Sequence, residues 1–304
     1  MDAQNQGYVI RCEINSFLID RRSRQLSRST IAFYQSELRI FATWADDENL
    51  KVVQDVTPTA LRSYLLYLEE QRHRNRGGVH AGWRVLKVFL RWFEDEYNPP
   101  DWINPIRKVQ PPQRSHRLIT GVGLTNVRRL LATCDDSLGG RRDAAIFLTL
   151  TDTGLRIGEL TALNIEDLDM RSGTITVQHG KGDKARLVFV SPKTLKALVR
   201  YLRMRGRPEP GEPLFAALKS GGRITRGGEE YILRAHEVAA DIHVGGWHNF
   251  RRTYALEMLR DGTDVVTLSR LLGHSDTSLV MTYAKQTQID LRNAAEAHSP
   301  VERM

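Results

Sequence analysis

The stretch that most constrains this chain is NPPDWINPIRKVQPPQR, residues 98–114, where five prolines rule out a regular helix and favour an extended connection. It separates two halves of different character. Before it, every apolar pattern is helical. Ile10, Ile14, Phe17 and Leu18 share one face; Ser29-Thr30 is placed to cap a second helix carrying Ile31, Tyr34, Leu38 and Phe41; Thr57-Pro58 opens a third with Leu61, Leu65 and Leu68. A fourth, near 79–95, would bury Trp83, Leu86, Leu90 and Phe93. After the proline-rich stretch, helical patterns at 123–134 and 141–152 give way to two strand-like runs, TITVQH (174–179) and ARLVFVS (185–191). The GKGDK between them supplies turn chemistry, so the spacing predicts a β-hairpin with Lys181 at its tip. Ser191-Pro192 opens a helix that Gly206 ends, and further helices are expected over 228–240, 249–260, 264–272, a short segment holding Tyr283, and 287–296. The expected fold is mainly α with a small antiparallel β-sheet. A helical domain spans 1–97, a Pro-rich linker 98–114, and an α+β domain 115–304.

Charge narrows the partner. Lys and Arg outnumber Asp and Glu by 44 to 36, a net charge of +8, which favours a polyanion such as nucleic acid. On the fourth helix Arg84, Lys87 and Arg91 fall on one face, just after QRHRNRGG (71–78), which contains Arg76. A solvated helix face accounts for any one of these cations, but their clustering favours phosphate contact. Cys12 and Cys134 are the only cysteines, too few for a disulfide framework or a Cys-rich zinc site, as fits a reducing compartment. No apolar run reaches the length of a membrane span and the N-terminus lacks a signal h-region, so a cytoplasmic protein with no membrane partner is expected.

Seven polar residues of the second half stand in apolar-flanked settings: Arg156, Glu159, Lys181, His248, Arg251, His274 and Tyr283. Two arginines, two histidines, a lysine and a tyrosine together would hold a phosphate. Guanidinium forks neutralise the charge that builds on a pentavalent phosphorus. A tyrosine hydroxyl, with an ordinary pKa of about 10, needs a cationic surround or a base before it is a useful nucleophile. A departing 5′-oxygen needs a proton, which a lysine or a histidine can donate, and a lysine on a mobile hairpin tip suits that role.

TGLRIGEL (153–160), the GKGDK hairpin, HNFRR (248–252), LLGH (271–274) and TYAK (282–285), in this order, resemble the catalytic motifs of the tyrosine recombinases, the phage-integrase and Xer-like family. The match covers nearly all of the second half, and the helical first half resembles the family's core-binding domain. The resemblance implies that Arg156 and Arg251 clamp the phosphate, that Lys181 is the general acid and that His248 and His274 complete the pocket. Tyr283 would be the nucleophile, and Glu159 would stand at an acidic position that supports the pocket. Independently of the resemblance, its place one turn after Arg156 suits a salt bridge that orients that arginine. Arg252 stands where many relatives carry histidine. The implied activity is site-specific cleavage and rejoining of duplex DNA through a 3′-phosphotyrosyl intermediate and a Holliday junction. Four protomers would act on two sites, each clamping the duplex between its domains, with helix 287–296 docking on a neighbouring subunit.

No cofactor is expected. GKGDK lacks a GxxxxGK[ST] frame and joins two strands, so ATP use is not indicated, and His243, His248 and His274 lack the spacing and carboxylate of a metal site. Two other readings use the same residues. In a DNA-binding regulator without chemistry, residues 264–285 would be a helix-turn-helix, but Arg156 and Lys181 would then have no role. A type IB topoisomerase would share the covalent intermediate, but the small helical first domain argues against it.

Overall fold

The computed structural model describes residues 7–113, 120–178, 185–206, 208–273, 281, 299 and 301. The chain forms two compact units, Met1–Arg117 and Leu118–Met304.

The first unit is built from α1 (Ile10–Ser23), α2 (Arg28–Asp47), α3 (Pro58–Glu70) and α4 (Arg76–Tyr97). Side chains cap three of the four: Ser27, Thr57 and Asn75 accept from the backbone N–H groups of Thr30, Ala60 and Gly78. The second helix thus begins at Ser27 rather than at Ser29-Thr30, because Ser27 is the hydroxyl three residues before an orphan donor. Phe17, Leu38, Phe41, Leu68, Phe89, Leu90 and Phe93 fill the core. On α4, Arg84 and Arg91 are exposed and Lys87 lies over the Trp83 ring at 4.9 Å.

The proline-rich stretch, expected to run as an extended connection, folds onto this unit as far as Val109. Pro105–Lys108 form a 3-10 turn, and Ile106 and Val109 are buried in the same core. The cause is Asn104, fully buried, whose amide donates to the Leu90 carbonyl and to Glu94 while its oxygen accepts from Ile106 N. Trp83 adds a bond from its indole N–H to the Val109 carbonyl at 3.2 Å.

The second unit contains α5 (Leu124–Ala132), α6 (Leu138–Thr153), α7 (Ile157–Ala162), β1 (Leu168–Asp169), β2 (Thr174–Val177), β3 (Arg186–Phe189), α8 (Pro192–Arg205), α9 (Arg226–Ala240), α10 (His248–Arg260) and α11 (Val265–Leu272). The strands form one antiparallel sheet in the order β1-β2-β3, with Thr174 opposite Phe189 and Val177 opposite Arg186. The hairpin is therefore extended by a short third strand. The chain is mainly helical with this small sheet among the described residues. Helix α6 is the axis of the core: Phe147 stacks on Phe250 of α10 with centroids 5.7 Å apart and planes 8° from parallel, and α8 packs against α6 as well.

Candidate active site

The site grows from the end of α6. Gly154 closes that helix at φ +63°, a conformation that L side chains rarely adopt. Two residues later Arg156 caps α7, and Glu159, one turn on, folds back to it. The Glu159 carboxylate accepts from the backbone N–H of Arg156 at 2.9 Å and from its Nη1 at 2.8 Å. The Arg156 side chain stays 38% exposed, while that of Glu159 is only 9% exposed. A second guanidinium reaches the same carboxylate from β3: Arg186 donates from Nη2 to Oε2 at 2.8 Å and from Nη1 to Oε1 at 3.2 Å. Burial alone would raise the Glu159 carboxyl. The Arg186 fork, the Arg156 backbone donor and both charges outweigh it and hold the group below the usual carboxylate range.

Helix α10 supplies the opposite wall. His248 is its first residue and Arg251 lies one turn on, while Phe250 between them points into the core. Arg251 is only 2% exposed and donates from Nη1 to the Gly154 carbonyl at 2.7 Å and from Nη2 to the Leu272 carbonyl at 2.6 Å. It therefore joins the turn that carries Arg156 to the end of α11, whose cap Gly273 has φ +66°. His248 is exposed, yet its pKa is held below the ordinary histidine value. Desolvation by the packed wall is the first cause, followed by the charges of Arg252, Arg251 and Arg156.

Of the residues singled out in the sequence, Arg156, Glu159, His248 and Arg251 come together here. Lys181, His274, Tyr283 and the 287–296 segment lie outside the described residues. Arg76, Arg84, Lys87 and Arg91 belong to the other unit. Arg186 was not singled out. Its signal lay in the alternation of RLVF: with Val188 buried, Arg186 two residues away faces the same inner side, while Leu187 and Phe189 point outward. Gln178 and Arg223 were likewise missed; with Arg156, Glu159 and Asn164 they line a cleft of 780 Å³.

Among the described residues Arg156 makes no hydrogen bond from Nη2 or Nε, so a partly exposed fork stands beside a buried, cationic wall. Such an arrangement suits an oxyanion. No three or more His, Cys, Asp or Glu side chains among the described residues are grouped to hold a metal ion.

The model of the phage integrase family matches residues 124–289. The chain is 34% identical over 280 residues to the tyrosine recombinase XerC of Pelobacter propionicus, covering 90% of this chain and 89% of that one. It is 30% identical over 287 residues to the tyrosine recombinase XerD of Pseudomonas aeruginosa, with 90% and 92% covered. Among solved structures, the XerH site-specific recombinase bound to palindromic difH substrate in a post-cleavage complex superposes with a TM-score of 0.71. It covers 93% of this chain and 82% of that one at 18% identity, a likeness of fold.

Proposed function

The chain belongs to the phage integrase family, and from that premise we propose how its residues cut and rejoin DNA as a site-specific recombinase. Tyr283 attacks the scissile phosphate. The bond from its hydroxyl oxygen to phosphorus forms as the bond to the 5′-oxygen breaks, leaving a 3′-phosphotyrosyl link and a free 5′-hydroxyl. Arg156 and Arg251 stabilise the charge on the non-bridging oxygens. His248, kept neutral by its surroundings, is able to take the phenolic proton, with His274 completing the pocket, and Lys181 delivers the proton that the 5′-oxygen needs. The 5′-hydroxyl of a partner strand then reverses the step, so the energy of the broken bond is kept in the phosphotyrosine and no cofactor is required. Four protomers on two sites would exchange strands in pairs through a Holliday junction. Among the described residues no helix is long and apolar enough to cross a membrane.

The observation that carries this reading is the bond from Arg251 to Gly154, which brings the arginine of HNFRR to the turn of TGLR across 97 residues of chain. The relatives named above are recombinases, which favours strand exchange over unrestrained strand rotation or binding without chemistry. The test is a nicked suicide duplex of the footprinted target. A covalent adduct is expected with the natural protein and not with Tyr283→Phe; an adduct from the Phe variant would remove Tyr283 from the mechanism.

A further inference from the structure

We propose that Arg186 is a positioning residue that keeps the Arg156 guanidinium available to the phosphate by sharing the Glu159 carboxylate with it. The inference rests on the recombinase reading and deepens it.

A carboxylate buried to the extent of Glu159 must have its charge matched and its lone pairs filled. Two cations meet this one anion. Arg186 takes both oxygens in a fork, and the Arg156 backbone takes another place on Oε2, so Arg156 needs to offer only Nη1. The two arginines have different surroundings. The Arg186 side chain is 12% exposed against 38% for Arg156, and its Nε is buried with no hydrogen-bond partner among the described residues. Arg186 is the fixed member of the pair, and Arg156 the one with an outward edge.

Arg186 is held by shape as well as by charge. Its side chain lies across Gly273, where an added Cβ would come within 2.8 Å of Arg186 Cδ and 2.9 Å of Nε. Gly273 therefore serves a left-handed helix cap and a channel for this arginine at once. The residue after it in sequence is His274. Arg186 thus lies against both the carboxylate that orients Arg156 and the end of α11, whose Leu272 carbonyl Arg251 also holds.

Without Arg186, the net charge around Glu159 falls by one. Among the described residues the Arg156 guanidinium is then the only side chain left on that buried anion, and it closes on it with two donors, turning the fork away from substrate. The loss is then specific to the charged oxygens that Arg156 would clamp.

The experiment uses the footprinted duplex as a nicked suicide substrate, with either a natural phosphodiester or a methylphosphonate at the scissile position. The methylphosphonate carries no negative charge for a guanidinium to neutralise. Arg186→Met is expected to slow adduct formation on the diester by about thirtyfold or more, and on the methylphosphonate by less than about threefold. Arg186→Lys, which keeps the charge without the fork, should fall between. Both rates come from one preparation, so a partly unfolded variant changes them in proportion and leaves their ratio unmoved. Equal losses on the two substrates would overturn the proposal, as would an unchanged diester rate. If the natural protein forms no adduct on either duplex, the recombinase reading itself fails and this inference with it. If the natural protein forms the adduct but Arg186→Met loses the same factor on both substrates, the positioning role alone is defeated.

Discussion

Arg251 donates from Nη2 to the carbonyl of Leu272 at 2.6 Å, closing the last turn of one helix with a side chain from another. Its second donor holds Gly154. Arg251→Ala leaves both carbonyls without this donor in a buried setting, for an expected loss of about 2–4 kcal/mol. Urea unfolding measures that loss. In single-turnover assays at a temperature where the variant is folded, adduct formation is expected to fall at least about a hundredfold. A variant as stable and as active as the natural protein would contradict this geometry.

Gly154 is constrained twice. Its φ is +63°, and an added Cβ would overlap the Tyr254 ring and approach Leu272 Cδ2 at 2.9 Å. Gly206 also has positive φ, at +92°, but has open space around it. Gly154→Ala should cost at least about 2 kcal/mol, whereas Gly206→Ala should cost about 1 kcal/mol from backbone strain alone. Equal denaturant midpoints for the two variants would count against a steric role for Gly154.

His248 carries a pH signature. Its folded pKa lies below the ordinary value of 6.5, so between the two values the unfolded chain binds a proton that the native chain does not. The contribution is complete above about pH 6.5 and is lost as pH falls through the lowered native value. Unfolding free energy should therefore decline less from pH 7 to pH 5 in His248→Gln than in the natural protein. Parallel declines would show that the imidazole is not perturbed.

The basic groups of the first unit are not equivalent. Arg84 and Arg91 are exposed on α4, but Arg74 is bound in a two-point pair with Glu37 at 2.6 and 3.0 Å. If Arg84 and Arg91 contact phosphates, each alanine variant should lower the slope of log binding constant against log salt by about 0.9. Arg74→Ala should leave that slope unchanged and instead lower the melting temperature, since it strands a buried carboxylate. Fluorescence anisotropy across a salt series and thermal unfolding separate the two.

Much of this architecture was legible in the sequence because the signals were local. Apolar spacing located the helices of both units, and Ser191-Pro192 and Gly206 bounded α8 to the residue. The hairpin strands were readable from their β-branched content. Strand β1 was not, since two residues are too few to alternate, and it exists only through pairing with β2. The fold of residues 104–109 onto α4 was hidden because it depends on Asn104, a polar side chain whose three partners are set by tertiary packing. At the site, motif order drew Arg156, Glu159, His248 and Arg251 together. Arg186 escaped because a cation in a strand reads as solvated until its partner is known. Lys181, His274 and Tyr283 lie outside the described residues.

The Phe147–Phe250 stack has a mechanical meaning. Successive residues on an α-helix are about 100° apart around its axis, so the heading of any one fixes the others. Phe250 lies between His248 and Arg251, and its ring is seated flat on Phe147. Rolling α10 far enough to carry His248 or Arg251 off station would pull a fully buried phenyl ring out of the core. The helix is keyed against rotation, and any accommodation of substrate near it must come from the chain segments around it.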